Sequence, residues 1–429
     1  MRKVFVAVYL FITQWLSAQT NETLRWIDAH AVPLTDVSAD KPLQNFSQNA
    51  SLRFQNAKIF GFGEATHHGK EFFDVKSKFF KYLVENQGIR VFILEDNYPI
   101  EAPINNWLSG GSATKKEIAN SFTLAPWYCQ EVVDLLEWMR NFNQGKPTDQ
   151  QIRVYGMDIQ VVSNINTEIR EAVAKYKIAV PENLLAVVDS CVGKTVNYTK
   201  RNNWADEQIP HLDAIEKILL SELTNRTATE QVALKAILRA LNYLKMYTLY
   251  VQKPYSQVRD LNMFENTRYI VDNFSLNGKA FIWAHNDHVN TDGFANYTNR
   301  PIYNLGYHLR KFYKNDYYSV GFDFGSGTVI GYIVESKDNS GWKKFTIAES
   351  PSGTYAELLN KAKYDNYFLD LTDLSEKETS FFKSIKKQLI LGGPGYNPKR
   401  DNLYKKKFSE MYDAIIFIKT ISVSDHVID

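Results

Sequence analysis

The sequence predicts an α/β fold: a central, mostly parallel sheet flanked by helices, with a large helical insertion. Three observations predict it. Apolar runs at 57–63, 89–94, 152–156 and 279–284 each end at acidic or histidine residues, as strands do where they feed the functional loops of open α/β sheets. The first two runs flank an amphipathic helical stretch, giving a strand, helix, strand unit whose strands should lie parallel. Between about Thr167 and Asn277 the pattern is helical and no strand pattern interrupts it. The 429 residues, 44% hydrophobic and 23% charged, suffice for a large core built as one elaborated domain or two.

In chain order, Met1-Arg2-Lys3, the apolar run from Val4 to Leu16 and Ser17-Ala18-Gln19 fit a secretory signal peptide over residues 1–19. A periplasmic or secreted location and no stable membrane insertion after cleavage are expected, with residues 20–429 forming the α/β domain and its insertion at about 167–277. Leu24 to Pro33 reads as a short helix. The strand Ala57 to Gly63 leads through a histidine turn into a helix from about Lys70 to Asn86. Phe72, Val75, Phe79 and Leu83 form its inner stripe, while Lys76, Lys78, Lys81 and Glu85 read as its wet face. Gly88 closes it. Ile89 to Leu94 is a strand buried on both faces and ending at Glu95-Asp96-Asn97. A Trp138-containing helix runs from about Gln130 to Phe142. The strand Ile152 to Gly156 precedes Asp158, and Lys279 to Ala284 precedes His285-Asn286-Asp287-His288. Beyond lie a helix near Asn304 to Phe312, strands Tyr317 to Phe324 and Thr328 to Glu335 around Gly325-Ser326-Gly327, a helix near Thr354 to Lys361, and strands Tyr367 to Leu371 and Ala414 to Lys419.

Fifty basic and 48 acidic residues are well mixed, so nothing in the charge points to a nucleic-acid partner. Cys129 and Cys191 either pair or remain buried thiols. Glu64 and His67, three residues apart at a strand end, suit a histidine whose tautomer and basicity a carboxylate sets, able to take a proton from water. The competing reading is a helix cap by Thr66 or His67. His285 and His288 follow an apolar strand just as His67 and His68 do, and the repetition favours a site. The rival chemistry for these histidines is metal ligation, against which stands the lack of a His-Glu-x-x-His helix or cysteine cluster. Glu95 and Asp158 are strand-end acids. Arg259, before Asp260, either offers a guanidinium to a substrate oxyanion or belongs to a structural ion pair. No Gly-x-Ser-x-Gly elbow and no phosphate loop is present, so an activated water is the simpler nucleophile.

These residues resemble the erythromycin esterase family. Gly63-Glu64-Ala65-Thr66-His67 with Glu71-Phe72-Phe73 is similar to its first motif, and Leu94-Glu95 to its second. Trp283-Ala284-His285-Asn286-x-His288-Val289 is similar to the third, preceded by Arg259-Asp260-x-x-Met263-x-Glu265-Asn266. Gly306-x-His308-Leu309-Arg310, Gly321-Phe322-x-Phe324 and Tyr412-Asp413-Ala414-Ile415 extend the likeness. The resemblance implies one α/β unit with a helical insertion and metal-independent cleavage of esters or lactones, with no cofactor. His67 is then the base, and Glu64, Glu95, His285 and His288 complete the catalytic set. Arg259, Asp158 and His68 are expected at the substrate. His68 stands where the family commonly has glycine, and Lys70 where it often has arginine. The substrate expected is a small-molecule ester or lactone; macrolide cleavage, and with it antibiotic resistance, is one such role but does not follow from the resemblance, since many relatives look like esterases of unknown substrate. A metal-dependent hydrolase using the same histidines and a non-catalytic periplasmic binding protein are the alternatives, and the oligomeric state stays open.

Overall fold

The computed structural model describes residues 21–197, 203–254, 256–292, 303–336, 339–384, 386–389, 391, 396–398, 404–425 and 427. The predicted signal peptide, residues 1–19, lies outside the described residues. Among those described, no helix is long and apolar enough to cross a membrane.

The strands in chain order are β1 (Val32–Pro33), β2 (Ile59–Phe62), β3 (Val91–Asn97), β4 (Arg153–Asp158), β5 (Ala280–Trp283), β6 (Tyr317–Ser336), β7 (Asn339–Ile347), β8 (Asn366–Asp370), β9 (Lys386–Gln388), β10 (Tyr404–Lys406) and β11 (Ala414–Ile421). The helices that bear on the site are α1 (Lys70–Gln87), α2 (Gln130–Asn143), α3 (Ile165–Lys175), α4 (Glu182–Val192), α5 (Trp204–Leu223), α6 (Ala228–Gln252), α7 (Ser256–Phe274), α8 (Asn286–Val289) and α9 (Leu305–Tyr313). The described chain falls into two compact units. One takes in the residues up to Arg90, Cys129–Leu135 and the chain from Asn277 onward; the other comprises Val91–Tyr128 and Leu136–Leu276.

In the first unit β2 lies parallel to β5 on one side and to β6 on the other, and β11 continues the parallel run beyond β6. β8 and β1 extend the edge antiparallel. Every residue of β2 and β5 is buried, which is why both read as unbroken apolar runs. Helix α1 buries Phe72, Phe73, Phe79, Phe80 and Leu83, and Gly88 ends it at φ 70° with its N–H on the Leu83 carbonyl. The expectation that Lys76 and Lys78 face water is wrong. Both are buried, because Phe72, Phe73 and Phe80 flank Lys76 at helical spacing and the 34–45 loop covers Lys78, whose ammonium donates to the Asp36 carbonyl.

A second correction concerns the segment read as two strands around Gly325-Ser326-Gly327. It is one 20-residue strand, β6. Gly327, at φ 142°, stays in the ladder with β11, and a Cβ there would lie 2.0 Å from the Ile421 carbonyl oxygen. The glycines permit close approach rather than a turn. Polar β7, which the sequence does not announce, pairs antiparallel along the outer half of β6.

In the second unit β3 and β4 pair in parallel. β3 runs three residues past Leu94, with an irregularity between Leu94 and Asn97, so Glu95 and Asp96 belong to the strand's end. Helices α3 to α7 are the regular elements among the described residues between Ile165 and Phe274, in line with the helical pattern. Ile169, Val188, Leu212, Ile215, Leu241 and Leu244 are among the residues of a core of their own. Cys129 and Cys191 are both free and buried.

Candidate active site

The turn after β2 is not a helix cap. Gly69 occupies the N-cap of α1, and no side chain caps the helix. The C-terminal tail holds the turn instead: Ser424 N–H donates to the His68 carbonyl at 2.8 Å, and Lys70 N–H donates to the Ser422 carbonyl at 2.9 Å. His68 has φ 61°, a left-handed conformation that favours glycine, the residue the resemblance expects there. This backbone turns Glu64 and His67 toward each other. His67 Nδ1 donates to Glu64 Oε1 at 2.5 Å, so the neutral imidazole carries its lone pair on Nε2. Glu64 is fully buried, while the His67 side chain is 15% exposed.

A residue that sequence reasoning missed completes this arrangement. Lys76 Nζ donates to Glu64 Oε2, with both side chains wholly buried, and the ammonium lies 4.2 Å from the Trp283 ring centroid. Burial alone favours the neutral acid, yet Lys76 and the His67 hydrogen bond outweigh it and hold Glu64 below its ordinary pKa. The carboxylate is thus charged, fixed at both oxygens, and aimed at one imidazole nitrogen. The available signal was a lysine on the apolar stripe of a helix.

The end of β5 comes to the same place. His285 caps the short helix α8, its Nδ1 accepting from Asp287 N–H at 3.3 Å, so neutral His285 carries its proton on Nε2. Its ring centroid lies 5.1 Å from that of His67. Asn286 ties the strand ends together: its N–H donates to the Glu64 carbonyl at 2.9 Å, and its side chain exchanges two hydrogen bonds with the Phe322 backbone. Gly63 is what lets Asn286 approach, since a Cβ there would lie 2.2 Å from Asn286 Oδ1 and 3.0 Å from its Cα. Gly63→Ala is therefore expected to cost at least about 1–3 kcal/mol, read as a lower midpoint in urea denaturation; an unchanged midpoint would contradict this packing. His288 lies on α8, half-buried. Lys406 of β10, a second missed residue, donates to Asp287 Oδ1.

Glu95, Asp158 and Arg259 meet in the second unit. Arg259, on α7, grips Asp158 through Nε at 2.8 Å and Nη2 at 2.6 Å, and Nη2 also donates to Glu95 Oε1 at 2.8 Å. Burial opposes the guanidinium charge, but the two carboxylates prevail and raise its pKa. These bonds tie Arg259 to both acids in one ion cluster. Beside it, Asp96 accepts from Thr123 N–H at 3.1 Å and from the Thr123 hydroxyl, and burial pushes its carboxyl up to about 7. Asn97 Oδ1 accepts from Gln160 N–H and the Tyr243 hydroxyl, so these polar groups form a fixed network. Among the described residues, no three or more His, Cys, Asp or Glu side chains are grouped to hold a metal ion.

The erythromycin esterase family profile matches residues 84–421. The chain belongs to the erythromycin esterase family. The matched segment contains the Glu95–Asp158–Arg259 cluster and the His285 to His288 motif, and it begins past the Glu64–His67 turn. Over 93% of its length the chain is 24% identical to a putative hydrolase, YbfO, of Bacillus subtilis strain 168, covering 91% of that protein. It is 22% identical to erythromycin esterase type II of Escherichia coli, with 94% of this chain and 98% of that one covered. A crystal structure from Bacillus cereus superposes with a TM-score of 0.82 at 21% identity, covering 95% of this chain and 99% of the other. That likeness carries the fold, a mixed and mostly parallel sheet with many helices. Membership in the erythromycin esterase family makes the protein a hydrolase with a small-molecule substrate.

Proposed function

We propose that the protein is an exported esterase or lactonase that cleaves its substrate with a water activated by His67, without a metal. The buried Lys76–Glu64–His67 chain carries this reading. A charged carboxylate with no freedom to move holds the imidazole by Nδ1 and stabilises the imidazolium that forms when Nε2 takes a proton. The resulting hydroxide attacks the ester carbonyl, and the Nε2–H of His285, with His288, donates to the developing oxyanion. Collapse of the tetrahedral intermediate breaks the acyl C–O bond, and the imidazolium of His67 returns its proton to the leaving alkoxide. Glu95 is assigned to the catalytic set and Arg259, Asp158 and His68 to the substrate; the order already present in the Glu95–Asp158–Arg259 cluster supports a rigid, pre-formed role for it. The basic start and apolar run of residues 1–19 support export.

A panel of aryl esters, alkyl esters, lactones and macrolides, run on protein treated with a chelator and analysed for metal, tests this. Hydrolysis of at least one member, undiminished by chelation, is expected. Loss of turnover on chelation and its return with stoichiometric metal would replace the water mechanism with a metal-dependent one. Ligand-induced stabilisation without turnover would point to a binding protein.

A further inference from the structure

Asp287 lies between His285 and His288, two positions after the first and directly before the second, and it is held from three directions. Its N–H donates to His285 Nδ1. Its carbonyl accepts from the Asn290 side chain at 3.0 Å and from the Asn304 side chain. Its carboxylate, 23% exposed, accepts from Lys406, whose ammonium is wholly buried 119 residues further along the chain. A lysine this deeply buried is costly unless it is paired, so the pairing calls for an explanation in the site it adjoins.

We infer that Lys406 is a positioning residue that neutralises Asp287 and thereby keeps His285 and His288 uncharged, so that His285 presents its Nε2–H from a neutral ring. An unpaired carboxylate within about 4–6 Å of an imidazole raises its pKa by about 1–3 units, enough to move a histidine from mostly neutral to mostly charged at pH 7. The inference rests on the proposed role of these histidines at the oxyanion. The titratable or charged groups on elements against α8 include Glu64 and His67 of the β2 turn, with Lys76 bonded to Glu64, Tyr317 and Asp323 of β6, Tyr307, His308 and Arg310 of α9, and Tyr412. Arg310 is bonded to Asp413 and Lys76 to Glu64. Among the described residues, Lys406 is the cation that bonds the Asp287 carboxylate. Burial works against the charge on Asp287, while Lys406 and the two histidines hold its pKa below the ordinary value.

The test is a nitrogen-15 NMR titration of the imidazoles in the full-length protein. Lys406→Met, which leaves the Asp287 charge unopposed, is expected to raise the pKa of His285 or His288 by about one unit or more. Asp287→Asn, which leaves the lysine unopposed, is expected to lower it, and the double variant to bring it back close to wild type. Shifts of the same sign in the two single variants, or none, would overturn the inference. If Lys406→Met does not fold, Lys406→Gln takes its place: an upward shift of the imidazole pKa supports the pairing role, an unmoved or downward one overturns it. The titration reads protonation without turnover, so its failure is distinct from a failure of the wild-type protein to hydrolyse any ester.

Discussion

Lys76→Met is expected to lose about 3–5 kcal/mol of folding stability, because it strands the charge of the wholly buried Glu64 without its ammonium partner. Against the total of about 5–15 kcal/mol typical of domains, that loss is a large fraction. The lysine itself is no bargain, since two wholly buried charges must each be stripped of water and recover that cost only from each other and from His67. The destabilisation should therefore belong to the broken pair rather than to the missing ammonium. Lys76→Met combined with Glu64→Gln is expected to regain most of the loss. The pH dependence has a definite sign. Glu64 is held below its ordinary value of 4.5, so its contribution to wild-type stability is complete above about pH 4.5 and is lost as pH falls through the lowered folded value. The gap between wild type and Lys76→Met should thus be widest near neutrality and narrow in acid. Urea denaturation at several pH values measures it. A single variant losing less than about 1 kcal/mol, or a double variant no better than the single, would contradict the buried-pair account.

Most of the architecture is legible because it is written in local periodicity. β2, β5 and β11 are runs of apolar residues buried on both faces, and α1 announces itself through Phe72, Val75, Phe79 and Leu83 and ends at a glycine in the left-handed conformation. β6 misleads because glycines usually punctuate strands, whereas Gly327 lets Ile421 of the neighbouring strand approach. β7 is silent because an edge strand with alternate residues in water has a polar face and little apolar signal.

The candidate site divides along the same line. Glu64, His67 and His285 are legible from strand-end position and motif spacing, since a strand carries its last residues to a fixed edge. Lys76 and Lys406 are not, because a lysine reads as surface until tertiary structure buries it, and the partner of Lys406 lies 119 residues away. The partners of Arg259 are likewise set by tertiary structure: its bidentate grip on Asp158 and its bond to Glu95 form an ion cluster that spacing along the chain does not announce.

The second large effect is on turnover. His67→Ala removes the group proposed to accept the water proton, and loss of a general base lowers kcat by about 10²- to 10⁴-fold, or about 2.7–5.5 kcal/mol of barrier at 1.36 kcal/mol per decade. The fold should survive, because the His67 side chain is 15% exposed and Glu64 keeps its bond to Lys76. Retention of the wild-type circular dichroism spectrum and denaturation midpoint would separate lost chemistry from lost structure. The decisive measurement is kcat of His67→Ala beside wild type on the fastest ester of the panel. A fall of at least about 10²-fold in a folded variant is the predicted result; turnover at the wild-type rate would contradict the assignment of His67 as the base.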